Sequence, residues 1–400
     1  MLDKLVVHIP FKNEFLLSDS YNEIEYIPLK NLPENMIYSG DVQIKNGIKF
    51  VSSLKTKYES LKSNYSGMAF KVFDTGTKNY FPYVSLKCSP CKLLQGHNLY
   101  GFDDLEKSFL NMIWLLCFIY PKFRDILDVE NTLVSELDIT YSIFIDKPHV
   151  KLAFLDYLKN ISNGHTKSQG DNYKTTVYFG SKKSRIKGLK CYSKIEEMKL
   201  DAIKMQKNGF QNSSDIMNDL IKTDYCKNSV RFEATIKKRF LTKNGYSDNI
   251  INLINDIKID KNFYNYLFNK AWEDIMSTFQ KDEINIVNDD DIYNLILVKF
   301  ETVTKSGRVS LVKVNRLFYQ YKTLMHMGYE YCKKDSSKTT FNRNISDLIS
   351  CGFSKSHLQN LHNDNCATVL PIAHIVNIDF SNQFPHNYVE SKNLWELSVV

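Results

Sequence analysis

Two stretches of this chain alternate strictly between apolar and polar side chains, and alternation with a period of two is the signature of a strand with one buried and one polar face. In Glu136–Ile143 the apolar positions are Leu137, Ile139, Tyr141 and Ile143, while Glu136, Asp138, Thr140 and Ser142 share the other face. In Val230–Lys237 the apolar set is Val230, Phe232, Ala234 and Ile236, with Arg231, Glu233, Thr235 and Lys237 opposite. Glu136 and Asp138 on one face form a candidate site for Mg²⁺ or Mn²⁺, which prefer oxygen ligands; a solvated sheet face explains the same pattern. Glu233 offers a further carboxylate, and Arg231 a group for phosphate. An Arg–Glu pair bracing the sheet is the alternative.

A third segment, Gly188–Glu197, is a strand that ends in Tyr192 and leads through Lys194 into a helix. A tyrosine at a strand end is expected at the rim of a sheet, with its hydroxyl open to a ligand. Free phenol is a weak nucleophile with a pKa of about 10, and a neighbouring ammonium such as Lys194 would favour the phenolate. Seven basic residues against two acidic ones lie between Lys182 and Lys199. That density suits phosphate contacts through Arg185 and Lys190, with Arg231 and Lys237 of the 230–237 strand as further candidates; a solvated basic hairpin is the competing reading. Carboxylates for a metal, a phenol and basic residues together are the parts that phosphoryl transfer uses.

Around these strands the pattern is mixed. Strands are expected in 66–73 and 79–88 about Thr75-Gly76, and a hairpin in 175–179 and 186–193. Helices are expected near 102–120 and 149–160, and over 194–222 with a break at Asn208-Gly209. From about 245 the pattern is mostly helical, with a late strand at 373–380. The fold class is therefore α+β followed by a helical part, divided here at 1–245 and 246–400.

The chain has 400 residues, 43% of them hydrophobic, and a formal charge of +7. It can bury large cores, and its charge mildly favours a polyanionic partner. The longest apolar run, Phe109–Tyr120, is too short for a bilayer, which needs roughly 20 residues. The eight cysteines are expected to be reduced, since the opening MLDKLVVHIPF lacks the apolar core of a secretory signal. Cys88-Ser-Pro-Cys91 is half of a zinc spacing with no second pair to complete it.

Several segments carry a resemblance to a known family: YSGMAFKVF (65–73), SPCKLLQGHNLYG (89–101), ILDVENTLVSELDITYS (126–142), LKNISNGHTKS (158–168), CYSKIEE (191–197), VRFEATIKKRF (230–240) and VNIDFSNQFP (376–385). In this order the chain resembles the gene II replication endonucleases of filamentous bacteriophages over nearly its whole length. The resemblance implies an antiparallel-sheet nicking domain like that of rolling-circle initiators. It implies a protein that nicks the plus strand of replicative-form DNA, holds the 5′ phosphate on a tyrosine, and later circularises the displaced strand. It places the nucleophile at Tyr192, in Tyr192-Ser-Lys194. The same order of motifs resembles initiators of small Gram-positive plasmids, and by that analogy Asp138 and Glu233 are the metal ligands.

The His-hydrophobe-His triplet common in such nicking enzymes does not occur here. His97, the histidine inside a matching motif, is the candidate third ligand; a structural histidine capping a turn fits equally. The partners implied are origin DNA, double- and single-stranded, and the host helicase, polymerase and single-strand-binding protein, in the host cytoplasm and away from membranes. A homodimer on DNA is allowed.

Residues 339–362 read as helix, turn and helix, with Gly352 at the stop and Ser354 as the next cap. A DNA-docking helix-turn-helix and ordinary helical packing both account for this. A non-enzymatic origin-binding protein and a conjugative relaxase are the alternative functions. The first needs the basic stretches without Tyr192, Asp138 or Glu233; the second shares the chemistry but acts with transfer genes.

Overall fold

The alternating segments meet as neighbours in one eight-stranded, wholly antiparallel sheet. The computed structural model describes residues 1–19, 24–34, 40–45, 48–54, 58–77, 81–163, 166–168, 175–181, 183–279, 289–303, 308–362, 378–381 and 383–397. The strands of the large sheet are β1 (Leu2–Pro10), β2 (Glu59–Lys62), β3 (Gly67–Phe73), β4 (Tyr83–Cys88), β5 (Leu133–Phe144), β6 (Thr176–Phe179), β7 (Lys187–Ser193) and β8 (Ser229–Lys237). Their spatial order is β6-β7-β8-β5-β1-β4-β3-β2.

One face of the sheet is mostly apolar and faces helices α2 (Leu105–Ile119), α3 (Pro148–Lys159) and α6 (Phe263–Met276). Trp272 of α6 meets Phe232 and Phe179 edge-on at centroid distances of 5.1 and 5.6 Å, and Phe154 of α3 lies 6.3 Å from Phe232. Large aromatic side chains supply most of the buried area that stabilises such a layer. The core of the sheet domain runs on to Phe279. The division expected at 245/246 therefore falls inside continuous packing, because α6 completes the cover of the apolar face.

Past that core, a second hydrophobic cluster joins the helix Asp289–Phe300 to α7 (Val312–Met327), α8 (Lys338–Ser350) and α9 (Lys355–Asn360). The expected helix, turn and helix are present, with Gly352 at φ +110° and the Ser354 hydroxyl accepting from the His357 N–H at 3.0 Å. The second helix, however, is turned inward. Ser356, Leu358, Gln359 and Asn360 are all buried, and Gln359 exchanges hydrogen bonds with Ser162 of the sheet domain at 2.8–3.0 Å. The basic side chains of α7 are also engaged: Lys313 and Arg316 face Asp347, and Lys322 meets Asp289 at 2.7 Å.

The tail returns to the sheet domain. Gln383 pairs its side-chain amide with both backbone groups of Ser142 (2.8 and 3.0 Å), and Phe380 packs edge-on against Tyr141. The late strand expected at 373–380 lies outside the described residues up to 377, and residues 378–380 are not a strand. Among the described residues no helix is long and apolar enough to cross a membrane.

Candidate active site

The polar face of β7, β8, β5 and β1 gathers most of the residues singled out above. Register decides this. Tyr192 pairs with Arg231 and Lys190 with Glu233 across β7–β8; Glu233 pairs with Thr140 and Thr235 with Asp138 across β8–β5; Asp138 pairs with Lys4 of β1. Asp138 and Glu233 are thus diagonal neighbours on one face, both buried at 3% and 6% exposure.

Burial, and next the charge of Glu233, push the Asp138 carboxyl up to about 8, with Lys4 opposing. Lys4 bonds Asp138 at 2.9 Å and also pairs with Glu136, while Lys190 bonds Glu233 at 2.8 Å. Oδ1 of Asp138 is buried without a hydrogen-bond partner. An unmatched carboxylate oxygen beside a second carboxylate is a donor set that fits a hard divalent cation, with the two lysines occupying part of its place.

His97 is not part of this pair. Among the described residues no group of three or more His, Cys, Asp or Glu forms a metal-binding cluster. His97 sits in the loop after α1 (Pro90–Gln95), and its Nδ1 accepts the Leu99 N–H at 3.3 Å. That bond leaves the proton of the neutral ring on Nε2, so neither nitrogen offers a lone pair to a metal in this tautomer. Burial, then the charges of Lys194, Arg231 and Lys92, push its pKa down to about 3. It is a neutral histidine fixing a turn.

Tyr192 is not at an open rim. Its side chain is 2% exposed, and its hydroxyl donates to Oε2 of Glu233 at 3.3 Å. Burial, followed by the charges of Glu197 and Glu233, raises the phenol well above its ordinary value. Lys194 does not produce a phenolate. It is wholly buried, donates to Glu197 at 2.5 Å and to Asn98 at 2.9 Å, and its Nζ stands 6.0 Å from the Tyr192 ring centroid. Burial lowers its own pKa. The ammonium nearer the ring is that of Lys190, at 4.5 Å.

Arg231 does not reach out to phosphate. It is buried, and its two Nη groups donate to the backbone carbonyls of Asn98 and Leu99, clamping the 96–101 loop over the Tyr192 end of the sheet. The loop closes because of two glycines: Gly96 ends α1 at φ +82°, and a Cβ at Gly101 would collide with Sγ of Cys91. Cys91 and Cys88 are free and buried, so their spacing serves packing. Helices α4 (Lys194–Lys207) and α5 (Gln211–Ile221) complete the cover through Met198, Ala202 and Met217, packed with Leu99 and Cys226.

The other end of the polar face is open. Glu136, Tyr178, Gly188, Lys190, Glu233, Thr235 and Lys237 help line a cleft of about 260 Å³. Lys237 there donates to the Ser184 carbonyl at 2.8 Å, and Arg185 is exposed on the hairpin turn beside it. Sequence reasoning missed Asp3 and Lys4. They are the acidic and basic pair that breaks the mostly apolar run Leu2–Ile9, and that break in pattern was the available signal. Asp3 accepts from Asn98 at 2.7 Å, and Lys4 serves Asp138.

The site thus lies on an antiparallel sheet whose one face carries a carboxylate pair, lysines and phenols, with a helical region after it, and comparison with known sequences supplies the class of protein. Residues 1–265 match the family described as replication-associated protein, N-terminal, and residues 303–394 match its C-terminal counterpart. The chain belongs to this family, the gene II replication proteins of filamentous phages. It is 33% identical to the replication-associated protein of Salmonella phage IKe, over 100% of this chain and 99% of that one. Identity to the replication-associated proteins of Enterobacteria phages M13 and fd is 30% in each case, over 98% of both chains.

Proposed function

We propose that this chain initiates phage replication by nicking one strand of its origin and later rejoining the displaced strand. The reading rests on one observation: Asp138 and Glu233 lie side by side on a sheet face that also holds the Tyr192 hydroxyl and the Lys190 ammonium. A divalent cation, Mg²⁺ or Mn²⁺, held by Asp138 and Glu233 would neutralise charge on the scissile phosphate.

The chain's own residues supply the rest. Glu233 holds the Tyr192 hydroxyl as acceptor and is placed to take its proton as the phenol attacks phosphorus, the P–O3′ bond breaks and the 3′ oxygen leaves as a hydroxyl. Lys190 stands beside both and offers a positive charge to the phosphate. Tyr192 reaches a strand only after the 96–101 loop and the first turn of α4 lift from it, so origin binding and opening of this cover are coupled.

Supercoiled origin DNA incubated with the protein and Mg²⁺ should yield relaxed circles carrying covalent protein. Bound but uncut DNA would instead support the non-enzymatic origin-binding alternative, which the sealed position of Tyr192 also suits.

A further inference from the structure

The open end of the polar face carries a second phenol. Tyr178 in β6 is directly opposite Lys190 in β7, and Thr176 is opposite Tyr192. Residues related in this way share a face, so Tyr178 and Tyr192 are diagonal neighbours, their backbones roughly 7–8 Å apart. Lys190 lies between them, over the Tyr192 ring and bonded to Glu233. The two phenols differ in access: Tyr192 is sealed, whereas Tyr178 is half-buried and lines the cleft with Glu233, Glu136 and Lys237.

Rejoining by a tyrosine-linked enzyme has a chemical requirement. While one phenol carries the 5′ phosphate, the regenerated origin junction must be cut by some other nucleophile. Water would still free the closing 3′ hydroxyl but would leave the new 5′ phosphate unlinked and its bond energy spent; a second phenol conserves that energy for a further round.

We propose that Tyr178 is that second nucleophile. This rests on the nicking function proposed above and assigns its second cut. The Tyr178 oxygen attacks phosphorus at the regenerated junction, its P–O3′ bond breaks, and the phenolic proton passes to the departing 3′ oxygen. The freed 3′ hydroxyl attacks the phosphorus held by Tyr192. That Tyr192–phosphorus bond breaks, the strand closes into a circle, and the Tyr192 phenol regains a proton. One phosphorus–oxygen bond forms for each that breaks, and no co-reactant is consumed. Tyr178 now carries the 5′ end, so the phenols alternate.

The test uses the full chain, Mg²⁺ and a single-stranded DNA bearing two origin copies, with peptide mapping of covalent adducts and counting of closed circles per nick. Phosphotyrosyl peptides are expected at both Tyr178 and Tyr192, and Tyr178→Phe should lower the circle-to-nick ratio at least tenfold. A thermal melt of Y178F matching the parent excludes misfolding as the cause, and if it does not match, the adduct map of the parent protein decides. An adduct confined to one tyrosine, or an unchanged ratio in folded Y178F, overturns the assignment while leaving the nickase intact. Absence of any nick in the parent protein overturns both.

Discussion

The Tyr192 hydroxyl and the Glu233 carboxylate meet at 3.3 Å inside the protein, and Lys190 bonds the same carboxylate from above the tyrosine ring. The contact orients the phenol and at the same time keeps it protonated. Removing the oxygen in Tyr192→Phe should cost about 1–2 kcal/mol of stability, since a buried charge-assisted hydrogen bond is lost. The variant should form no adduct at 192 and no relaxed circles on origin DNA. Urea melts and gel assays read the two effects separately, and full nicking by Y192F would place the first attack on another residue.

Asp138 gives a pH dependence with a definite sign. Its pKa rises from 3.8 to about 8 on folding, so between these values the folded state binds the extra proton and stability falls as pH rises. In metal-free protein Asp138→Asn should therefore raise the melting temperature more at pH 8.5 than at pH 5. Added Mg²⁺ should narrow that gap for the parent chain only. A difference independent of pH would show that Asp138 ionises normally. The variant should also fail to nick at any Mg²⁺ concentration.

Arg231 clamps the 96–101 loop through the Asn98 and Leu99 carbonyls. Arg231→Met leaves the Asn98 and Leu99 carbonyls without donors and should destabilise the fold by about 2–4 kcal/mol. Because the guanidinium is buried, the salt dependence of DNA binding should keep its slope, whereas deleting a cation that pairs with phosphate reduces that slope by about one. Arg185→Ala, on the exposed turn, should show the reverse: stability within about 0.5 kcal/mol and a shallower slope.

Gln359 joins the helical region to the sheet domain through Ser162. Gln359→Ala should loosen that junction without harming either core. Limited proteolysis is expected to release a fragment containing 289–362 at least fivefold faster, with little change in far-ultraviolet circular dichroism. An unchanged cutting rate would mean that the hydrogen bonds of Asn360 with Asn160 and of Lys355 with Asn163 suffice.

Much of the sheet was legible because its signal is local. Strand periodicity alone put Asp138 and Glu233 on polar faces, and the turn residues at 180–185 gave the β6–β7 hairpin. The helices at 105–119 and 148–159 and the break at Gly209 followed from apolar spacing and glycine conformation. The domain boundary was less legible, because nothing in the run of helices after 245 tells which of them returns its apolar stripe to the sheet.

What the sequence by itself determined is the identity of the chemical groups and the face each strand presents, since a side chain's direction along a strand is set by backbone geometry within a few residues. Only the tertiary structure decided which faces are covered. Burial depends on segments far apart in the chain: the 96–101 loop and α4 seal Tyr192, Arg231 and Lys194, while Tyr178 stays half-buried at the cleft. The same residue types on the same face therefore acquire different characters, a protonated, enclosed phenol at one end and a half-buried one at the other, because desolvation is a property of the packed whole.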